Sequence, residues 1–268
     1  MNNTAVRIMY DGSRYHGWQI QKNGVTVQER VESVLGEITG EKVSVCGCSR
    51  TDAGVHALEY VFSFRSGTRI PPSRLPYAMN THFRDDDIAA LCAVHADDDF
   101  NARFSSKGKK YIYKIWNSNL QNPFTSKYSW YVPYKLDIDA MKRAAEHFCG
   151  THDFSSFMAA GGSQKTTVRT VRGCTVKRSA EWSSQIEIEV EADAFLYNMV
   201  RIIAGTLAEV GTGRICAEDI PRIIESCDRR AAGMTAPPEG LFLKKVFYEK
   251  GTVDGLWKQA QDKGGGTG

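Results

Sequence analysis

Residues 48–57 have the sequence Cys-Ser-Arg-Thr-Asp-Ala-Gly-Val-His-Ala and form a polar segment between two stretches patterned as strands. Apolar residues alternate in residues 42–48 before it and in residues 59–65 after it, which predicts a hairpin-like pair of strands. Two interpretations of the connection are open. An Asp followed by a small residue and Gly is ordinary turn chemistry. Alternatively, the pair of strands presents Asp52 as a reactive carboxylate, because functional side chains are often carried on loops held by a rigid scaffold.

A second unusual stretch is residues 195–207, Phe-Leu-Tyr-Asn-Met-Val-Arg-Ile-Ile-Ala-Gly-Thr-Leu, where the spacing is helical and Arg201 interrupts an apolar sequence. Removing a guanidinium from water is costly unless a partner compensates for it. We therefore expect a carboxylate to approach Arg201. The residues alone leave open whether that carboxylate belongs to a functional site or to a structural ion pair with any nearby Asp or Glu.

The composition is that of an ordinary soluble globular protein, with 42% hydrophobic and 24% charged residues in a chain of 268. No apolar run is long enough to cross a bilayer, and residues 1–5 have neither the basic region nor the apolar stretch of a signal peptide. We therefore expect a cytoplasmic protein with no membrane partner. Seven scattered cysteines and six histidines lack the spacing of a disulfide framework or a metal site. Buried, reduced thiols are expected.

The net charge of +3 is modest, but the charges are segregated along the sequence. Residues 101–114 and residues 154–180 each contain five cations and no carboxylate, whereas aspartates cluster at residues 85–87 and 97–99. Aromatic residues lie among the first set of cations, as in grooves that bind phosphates and stack on bases. A solvated strand face explains the same pattern equally well.

Hydrophobic periodicity predicts two sets of strands and helices. Each set follows the order strand, helix, strand, strand, helix, strand, and the second has one extra helix. The predicted strands are residues 5–10, 42–48, 59–65, 88–95, 110–117, 167–177, 185–193 and 241–248, and the predicted helices are residues 27–38, 71–83, 138–148, 197–210 and 217–227. This order is typical of an α+β fold in which mainly antiparallel sheets carry helices on one face.

The chain is therefore expected to fold as two similar halves with an active-site cleft between them. Residues 1–106 form the N-terminal half, which carries the loop with Asp52, and residues 107–250 form the C-terminal half, which carries Arg201. Residues 251–268 end in a glycine-rich sequence with little to bury, which predicts a disordered tail.

Six segments follow one another with plausible spacing: YDGSRYHGWQ at residues 10–19, RTDAGVHA at 50–57, ARF at 102–104, KY at 110–111, FLYNMVRIIAGTL at 195–207 and TAPPEGL at 235–241. Together they closely resemble the tRNA pseudouridine synthase A (TruA) family. The resemblance extends over about residues 5–248.

The resemblance implies the pseudouridine synthase fold and an enzyme that isomerises uridine to pseudouridine in the tRNA anticodon stem-loop, at positions 38, 39 and 40 of the tRNA. It also implies a homodimer that uses no cofactor. Asp52 corresponds to the family's catalytic aspartate, which acts as nucleophile, and Tyr111 to its active-site tyrosine. Arg201 corresponds to the arginine that pairs with the aspartate.

Further substrate contacts are expected around these three residues. Tyr111 can stack on the uracil or relay the proton that leaves C5. The candidates for holding phosphates are Arg50, His56, Arg103, Lys109, Lys110 and Arg169. The chain departs from the family at Asn198, where many members have His and we expect little effect, and at residues 80–84, which lack a common Leu-Pro. The alternative is a noncatalytic RNA-binding relative of the same fold.

Overall fold

The computed structural model describes residues 1–162 and 164–249, together with Val253 and Trp257. The strands are β1 (Asn2–Tyr10), β2 (Val45–Gly47), β3 (His56–Ser66), β4 (Ile88–His95), β5 (Gly108–Asn117), β6 (Trp130–Val132), β7 (Gly150–Asp153), β8 (Val168–Arg178), β9 (Gln185–Ala192) and β10 (Leu241–Phe247). The helices are α1 (Val27–Thr39), α2 (Leu75–His82), α3 (Ile138–Glu146), α4 (Met199–Gly211) and α5 (Ile220–Glu225). None of these helices is long and apolar enough to cross a membrane.

The chain divides into two compact units, which are described separately. The first comprises Met1–Lys107 and the described residues from Leu243 onward, and the second comprises Gly108–Phe242. The predicted C-terminal half differs from the second unit, because it extends to residue 250. From Leu243 the chain groups with the first unit, where the Lys107 N–H donates to the Phe247 carbonyl oxygen at 2.8 Å.

The first unit is built on β1, which pairs antiparallel with both β3 and β4, and β2 extends this sheet antiparallel to β3. In the register between β1 and β3, Val6 lies opposite Phe62, and both side chains are fully buried. Residues 26–29, Thr-Val-Gln-Glu, have the pattern of a capping box, and helix α1 begins after Thr26, whose hydroxyl accepts the Glu29 N–H as this pattern predicts. It ends at Gly40, whose φ of 70° suits a residue without a Cβ.

The second unit contains four antiparallel strands in the order β5, β9, β8, β7, with the short β6 parallel to β5. Tyr113 and Ile115 on β5 lie opposite Ile188 and Ile186 on β9, and all four side chains are fully buried. Helix α4 is almost wholly buried, because apolar or small side chains cover most of its circumference. The predicted α+β class with mainly antiparallel pairing is confirmed.

The predicted elements agree with the structure where periodicity is strong. The bounds of β4 are confirmed at both ends, and most other bounds differ by one to three residues. Two strands were not predicted, β6 and β7, which have three and four residues and are too short to show alternation. The predicted helices at residues 71–83 and 217–227 each begin as a 3-10 turn and become α-helical one residue before Pro76 or Pro221. Proline lacks an N–H and therefore suits a first helical turn.

Two further expectations concern the cysteines and the tail. All seven cysteines are free, but Cys149, Cys216 and Cys227 are exposed, so the expectation of burial is wrong for these three. The predicted disordered tail lies outside the described residues except for Val253 and Trp257. These two side chains are buried, and the Arg7 guanidinium lies 4.9 Å from the centre of the Trp257 ring.

Candidate active site

Asp52 lies in a turn between β2 and β3. The Cys48 N–H donates to the Val61 oxygen at 2.8 Å, which continues the pairing of the two strands beyond β2. The Val55 N–H donates to the Asp52 carbonyl oxygen at 3.1 Å, and Gly54 has a φ of 77°. Both features are those of a tight turn, and Asp52 is partly exposed. Turn formation and presentation of the carboxylate are therefore compatible.

The segment at residues 11–18 holds this turn from the side. The main-chain N–H of Trp18 donates to the main-chain oxygen of Thr51 at 3.1 Å. The main-chain N–H of Gly54 donates to the main-chain oxygen of Tyr15 at 3.2 Å. Gly17 has a φ of +81°, and a Cβ there would lie 2.2 Å from the Thr51 oxygen. Only glycine allows the two main chains to approach this closely. The residues on both sides of Asp52 are thus fixed to a second loop.

Aromatic side chains support the turn from below. Trp18 stacks on Tyr60 of β3 with ring centres 4.1 Å apart, and Tyr10 lies 5.6 Å from the same ring. The Tyr10 hydroxyl lies 2.9 Å from the Thr51 hydroxyl, and the Tyr60 hydroxyl donates to the Ser49 oxygen. These buried rings make the base of the Asp52 turn rigid, because close-packed side chains leave little room for displacement.

His56 is the first residue of β3 and is only 1% exposed. Its Nδ1 lies 3.0 Å from Asp11 Oδ1 and 3.1 Å from the Gly12 nitrogen. A Cβ at Gly12 would lie 2.0 Å from the Val55 oxygen, so the two loops touch here as well. The sequence suggested a phosphate contact for His56, but its side chain is buried within the first unit and contacts Asp11 and Gly12.

In the second unit, Arg201 projects from the first turn of α4 and is partly exposed. Its Nη1 donates to Asn198 Oδ1 at 2.9 Å, and its Nε donates to the Ala236 oxygen at 2.7 Å. The Ala236 N–H donates back to the Arg201 oxygen at 3.1 Å. Asn198 has a φ of 60°, which Asn adopts more readily than most residues. The hydrogen bonds to Asn198 and Ala236 help to orient the guanidinium.

Two tyrosines on β5 have different environments. Tyr111 is 6% exposed and meets the Phe195 ring edge-on, with ring centres 4.9 Å apart. Tyr113 is fully buried, and its hydroxyl donates to the Pro237 oxygen at 2.7 Å. Burial of Tyr113 raises the pKa of its hydroxyl well above the ordinary value, and the negative charge of Glu239 adds to this effect. The hydroxyl therefore stays protonated and acts as a donor. Tyr113 thus fastens the segment that supplies the Ala236 oxygen.

A family model described as tRNA pseudouridine synthase matches residues 6–105 and 144–249. The chain belongs to the tRNA pseudouridine synthase family. Its relatives named tRNA pseudouridine synthase A include proteins of Thermoanaerobacter sp. and Acetivibrio thermocellus, each 48% identical to it, and one of Clostridium acetobutylicum, 45% identical. Each alignment covers 92% of this chain and 100% of the relative.

The loops described above lie within the two matched segments of this pseudouridine synthase. The first includes Asp52 and the loop that holds it, and the second includes Asn198, Arg201 and Ala236. Tyr111 lies between the two segments. The sequence did not predict that Asn198 and Ala236 would orient Arg201, or that Tyr113 would hold the segment that contains Ala236. Asn198 was noted only as a departure from the family.

The predicted phosphate-binding cations of the synthase have different surroundings. Arg50 and Arg103 are exposed, and the Arg103 guanidinium lies 5.6 Å from the centre of the Phe104 ring. Arg169 is 8% exposed, and its Nη1 donates to the oxygens of Thr166 at 2.9 Å and Val168 at 2.6 Å. Arg169 therefore braces the loop that precedes β8.

The acid-free stretches of the synthase meet carboxylates from other parts of the chain. Lys110 Nζ lies 3.0 Å from Glu191 on β9, and Lys177 Nζ lies 3.0 Å from Glu189 on the same strand. The hydrogen bond from Lys177 to Glu189 raises the lysine pKa. Lys110 and Lys177 therefore lie on a strand face where cations pair with carboxylates, because Glu191 and Glu189 lie on the neighbouring strand β9.

The aspartates at residues 85–87 have a structural role in the synthase. Arg14 Nε lies 2.7 Å from Asp87 Oδ2, and Arg30 Nε lies 2.7 Å from Asp86 Oδ2. The Tyr15 hydroxyl donates to the Asp86 oxygen, and burial, with Asp86 next in effect, raises the Tyr15 pKa to about 12. The acidic turn thus anchors the loop that holds Asp52.

Proposed function

We propose that this synthase isomerises uridine to pseudouridine at positions 38, 39 and 40 of the tRNA anticodon stem-loop, with Asp52 as the catalytic carboxylate. The observation that carries the proposal is the fixed presentation of Asp52 within a segment that matches the family. Asp52 is partly exposed, while Thr51 and Gly54 on either side are hydrogen-bonded to a second loop. Such pre-organisation is what a catalytic group needs.

The reaction explains why a carboxylate suffices. The bond between the ribose carbon and uracil N1 breaks, the base turns, and the same carbon bonds to C5. N1 gains a proton and C5 loses one, so atoms and electrons balance without a redox step or an added group. Asp52 either attacks the ribose carbon, holding the sugar while the base turns, or removes a proton from the sugar.

Arg201 and Tyr111 are proposed to act on the same uridine as Asp52. A guanidinium beside Asp52 would favour its ionised form and orient it. The hydrogen bonds from Arg201 to Asn198 and Ala236 support this role, because they restrict the direction of the guanidinium. Tyr111 would stack on the uracil or relay the C5 proton.

The remaining cations are proposed to hold RNA around the displaced nucleotide. The target base lies in a stem-loop and must be flipped out, at a cost of a few kcal/mol. The exposed or partly exposed cations suited to phosphates are Arg50, Arg103, Lys109 and Lys110. Burial favours supporting roles for His56 and Arg169. On the family resemblance, we further propose a homodimer that works in the cytoplasm.

The rival function is that of a noncatalytic RNA-binding relative. It is disfavoured because Asp52, Tyr111 and Arg201 are all present. A protein that had lost the reaction would be expected to have lost at least one of them.

Release of tritium from tRNA labelled at uracil C5 distinguishes the two functions, because pseudouridine formation removes the C5 proton. We expect the folded protein to release tritium from unmodified tRNA with uridine at positions 38, 39 or 40. Absence of release from every anticodon stem-loop substrate would leave the noncatalytic function as the better one.

Asp52→Asn tests the role of the carboxylate, since it keeps the shape of the side chain and removes its charge. We expect loss of tritium release with tRNA binding within about threefold of the parent, because the interaction removed belongs to the reaction. Asp139→Asn is the matched control, since Asp139 is exposed and pairs with Lys142 at 3.0 Å. Near-normal release by Asp52→Asn would refute the assignment of Asp52 even if the protein is a synthase.

A further inference from the structure

The contact between Asp11 and His56 joins the two loops on the side that follows Asp52. Asp11 Oδ1 lies 3.0 Å from His56 Nδ1 and also accepts the Ser13 N–H at 2.8 Å and the Ser13 hydroxyl at 2.6 Å. Asp11 is thus held by its own turn. His56 is held by its position at the start of β3 and by its burial. Two independently fixed residues meet at this point.

His56 has a partner in the loop in either state of its Nδ1. A protonated Nδ1 donates to the Asp11 carboxylate, and an unprotonated Nδ1 accepts the Gly12 N–H. One nitrogen can make only one of these hydrogen bonds at a time. Because Asp11 and Gly12 are consecutive, the same two loops stay connected in both states.

The contact between Asp11 and His56 is one of a few contacts that hold the Asp52 turn. On the side before Asp52, Thr51 is bonded through its oxygen to the Trp18 N–H and through its hydroxyl to Tyr10. On the side after Asp52, the Gly54 N–H donates to the Tyr15 main-chain oxygen at 3.2 Å, the Val55 oxygen lies against Gly12, and the His56 side chain contacts Asp11. Loss of the His56 contact would remove this side-chain bond and leave the main-chain contacts of Gly54 and Val55 with the second loop.

We propose that Asp11 and His56 form a positioning pair that fixes the side of the turn following Asp52 and so sets the direction of the Asp52 carboxylate. The inference rests on the proposed function of Asp52. Neither residue of the pair touches the reacting atoms. A carboxylate that attacks or deprotonates one ribose carbon depends on position to within about 1 Å, and a displacement of that size can cost about 100-fold in rate.

His56→Phe tests the pair, because it keeps a buried ring and removes the nitrogen that contacts Asp11. We expect kcat to fall by about tenfold or more while KM and the Kd for tRNA stay within about twofold, as for an interaction that acts in the reaction step. In His56→Asn the side-chain amide lies near the position of Nδ1, and it should restore at least about a third of the lost activity.

Asp11 provides the second half of the test. Asp11→Ala should lower kcat by about fivefold or more but less than His56→Phe, because the Gly12 N–H can still bond to His56 Nδ1, and the double variant should lose little more than His56→Phe alone. Asp11→Asn keeps an acceptor for the Ser13 N–H and for a protonated Nδ1, so its kcat should lie within about fivefold of the parent.

A second histidine–carboxylate pair in the same unit serves as the control. His82 Nδ1 lies 3.0 Å from Glu37 Oε2 between α2 and α1, and both side chains are exposed. His82→Phe should leave kcat and KM within about twofold of the parent, since exposed pairs contribute little. Thermal melts fix an assay temperature at which every variant is folded. A variant that does not fold is replaced by the other residue's variant.

Two outcomes would overturn the inference. One is a kcat within about twofold of the parent for the folded His56→Phe or Asp11→Ala protein, and the other is a raised KM with unchanged kcat, which indicates a substrate contact. Asp52→Asn is assayed in parallel. If it is active, the proposed function of Asp52 fails, whereas an inactive Asp52→Asn with near-normal pair variants refutes the positioning pair alone.

Discussion

At the scale of single residues, Arg201 depends on a neighbour that the family resemblance marked as a departure. The Asn198 oxygen accepts from Arg201 Nη1 at 2.9 Å, and the φ of 60° at Asn198 brings that side chain back towards the helix it precedes. Many family members have His at this position, which the sequence led us to regard as a mild change. The geometry supports that view, since His also tolerates a positive φ and has a ring nitrogen that can accept.

We predict that Asn198→Gly lowers kcat/KM by about fivefold, corresponding to about 1 kcal/mol for a partly exposed hydrogen bond to a charged group. Glycine adopts the same φ without strain, so the loss isolates the side chain. Asn198→His should retain activity within about twofold of the parent, because a ring nitrogen of the histidine can accept the hydrogen bond. Steady-state tritium release measures both, and equal impairment of the two variants would contradict the role given to the acceptor.

At the scale of elements, the loop at residues 11–18 and the turn at residues 48–55 form one structure through close approaches of their main chains. We predict that Gly17→Ala destabilises the protein by about 2 kcal/mol or more, because its φ of +81° disfavours a Cβ and that atom would lie 2.2 Å from the Thr51 oxygen. Activity should fall at least about tenfold, since the displaced oxygen belongs to the neighbour of Asp52. Urea unfolding and tritium release measure the two effects.

Gly40→Ala is the control for this prediction. Gly40 has a φ of +70°, but a Cβ there would have no neighbour within 4 Å. It should cost about 1 kcal/mol of stability through the conformation alone and leave kcat unchanged. If both variants lose activity equally, the close approach between the two loops is not what positions Asp52.

At the scale of the whole molecule, the net charge of +3 hides cations that are already paired with carboxylates. Phosphate contacts make RNA binding depend on salt, so we predict that the Kd for tRNA rises about tenfold or more between 50 and 200 mM monovalent salt. Lys110→Gln should reduce the dependence by about one phosphate contact, because Lys110, which lies 3.0 Å from Glu191, is proposed to bind a phosphate. Filter binding at several salt concentrations tests this, and an unchanged slope would remove Lys110 from the RNA contacts.

The sequence by itself determined the features that depend on neighbouring residues. The Thr26 cap, the alternation in β4 and the turn around Asp52 are local, because a hydrogen bond or side-chain period within a few residues produces each of them. The order of the motifs likewise sufficed to suggest the family, which the comparisons confirm over most of the chain.

The tertiary structure alone decided which distant residues meet. The strands β6 and β7 exist because β5 and β8 pair with them, although neither sequence alternates. The burial of His56 against Asp11 likewise joins residues 45 positions apart, and no local pattern encodes such a contact. Packing selects these contacts, because burying a polar group is tolerated only where a partner from elsewhere in the chain compensates for it.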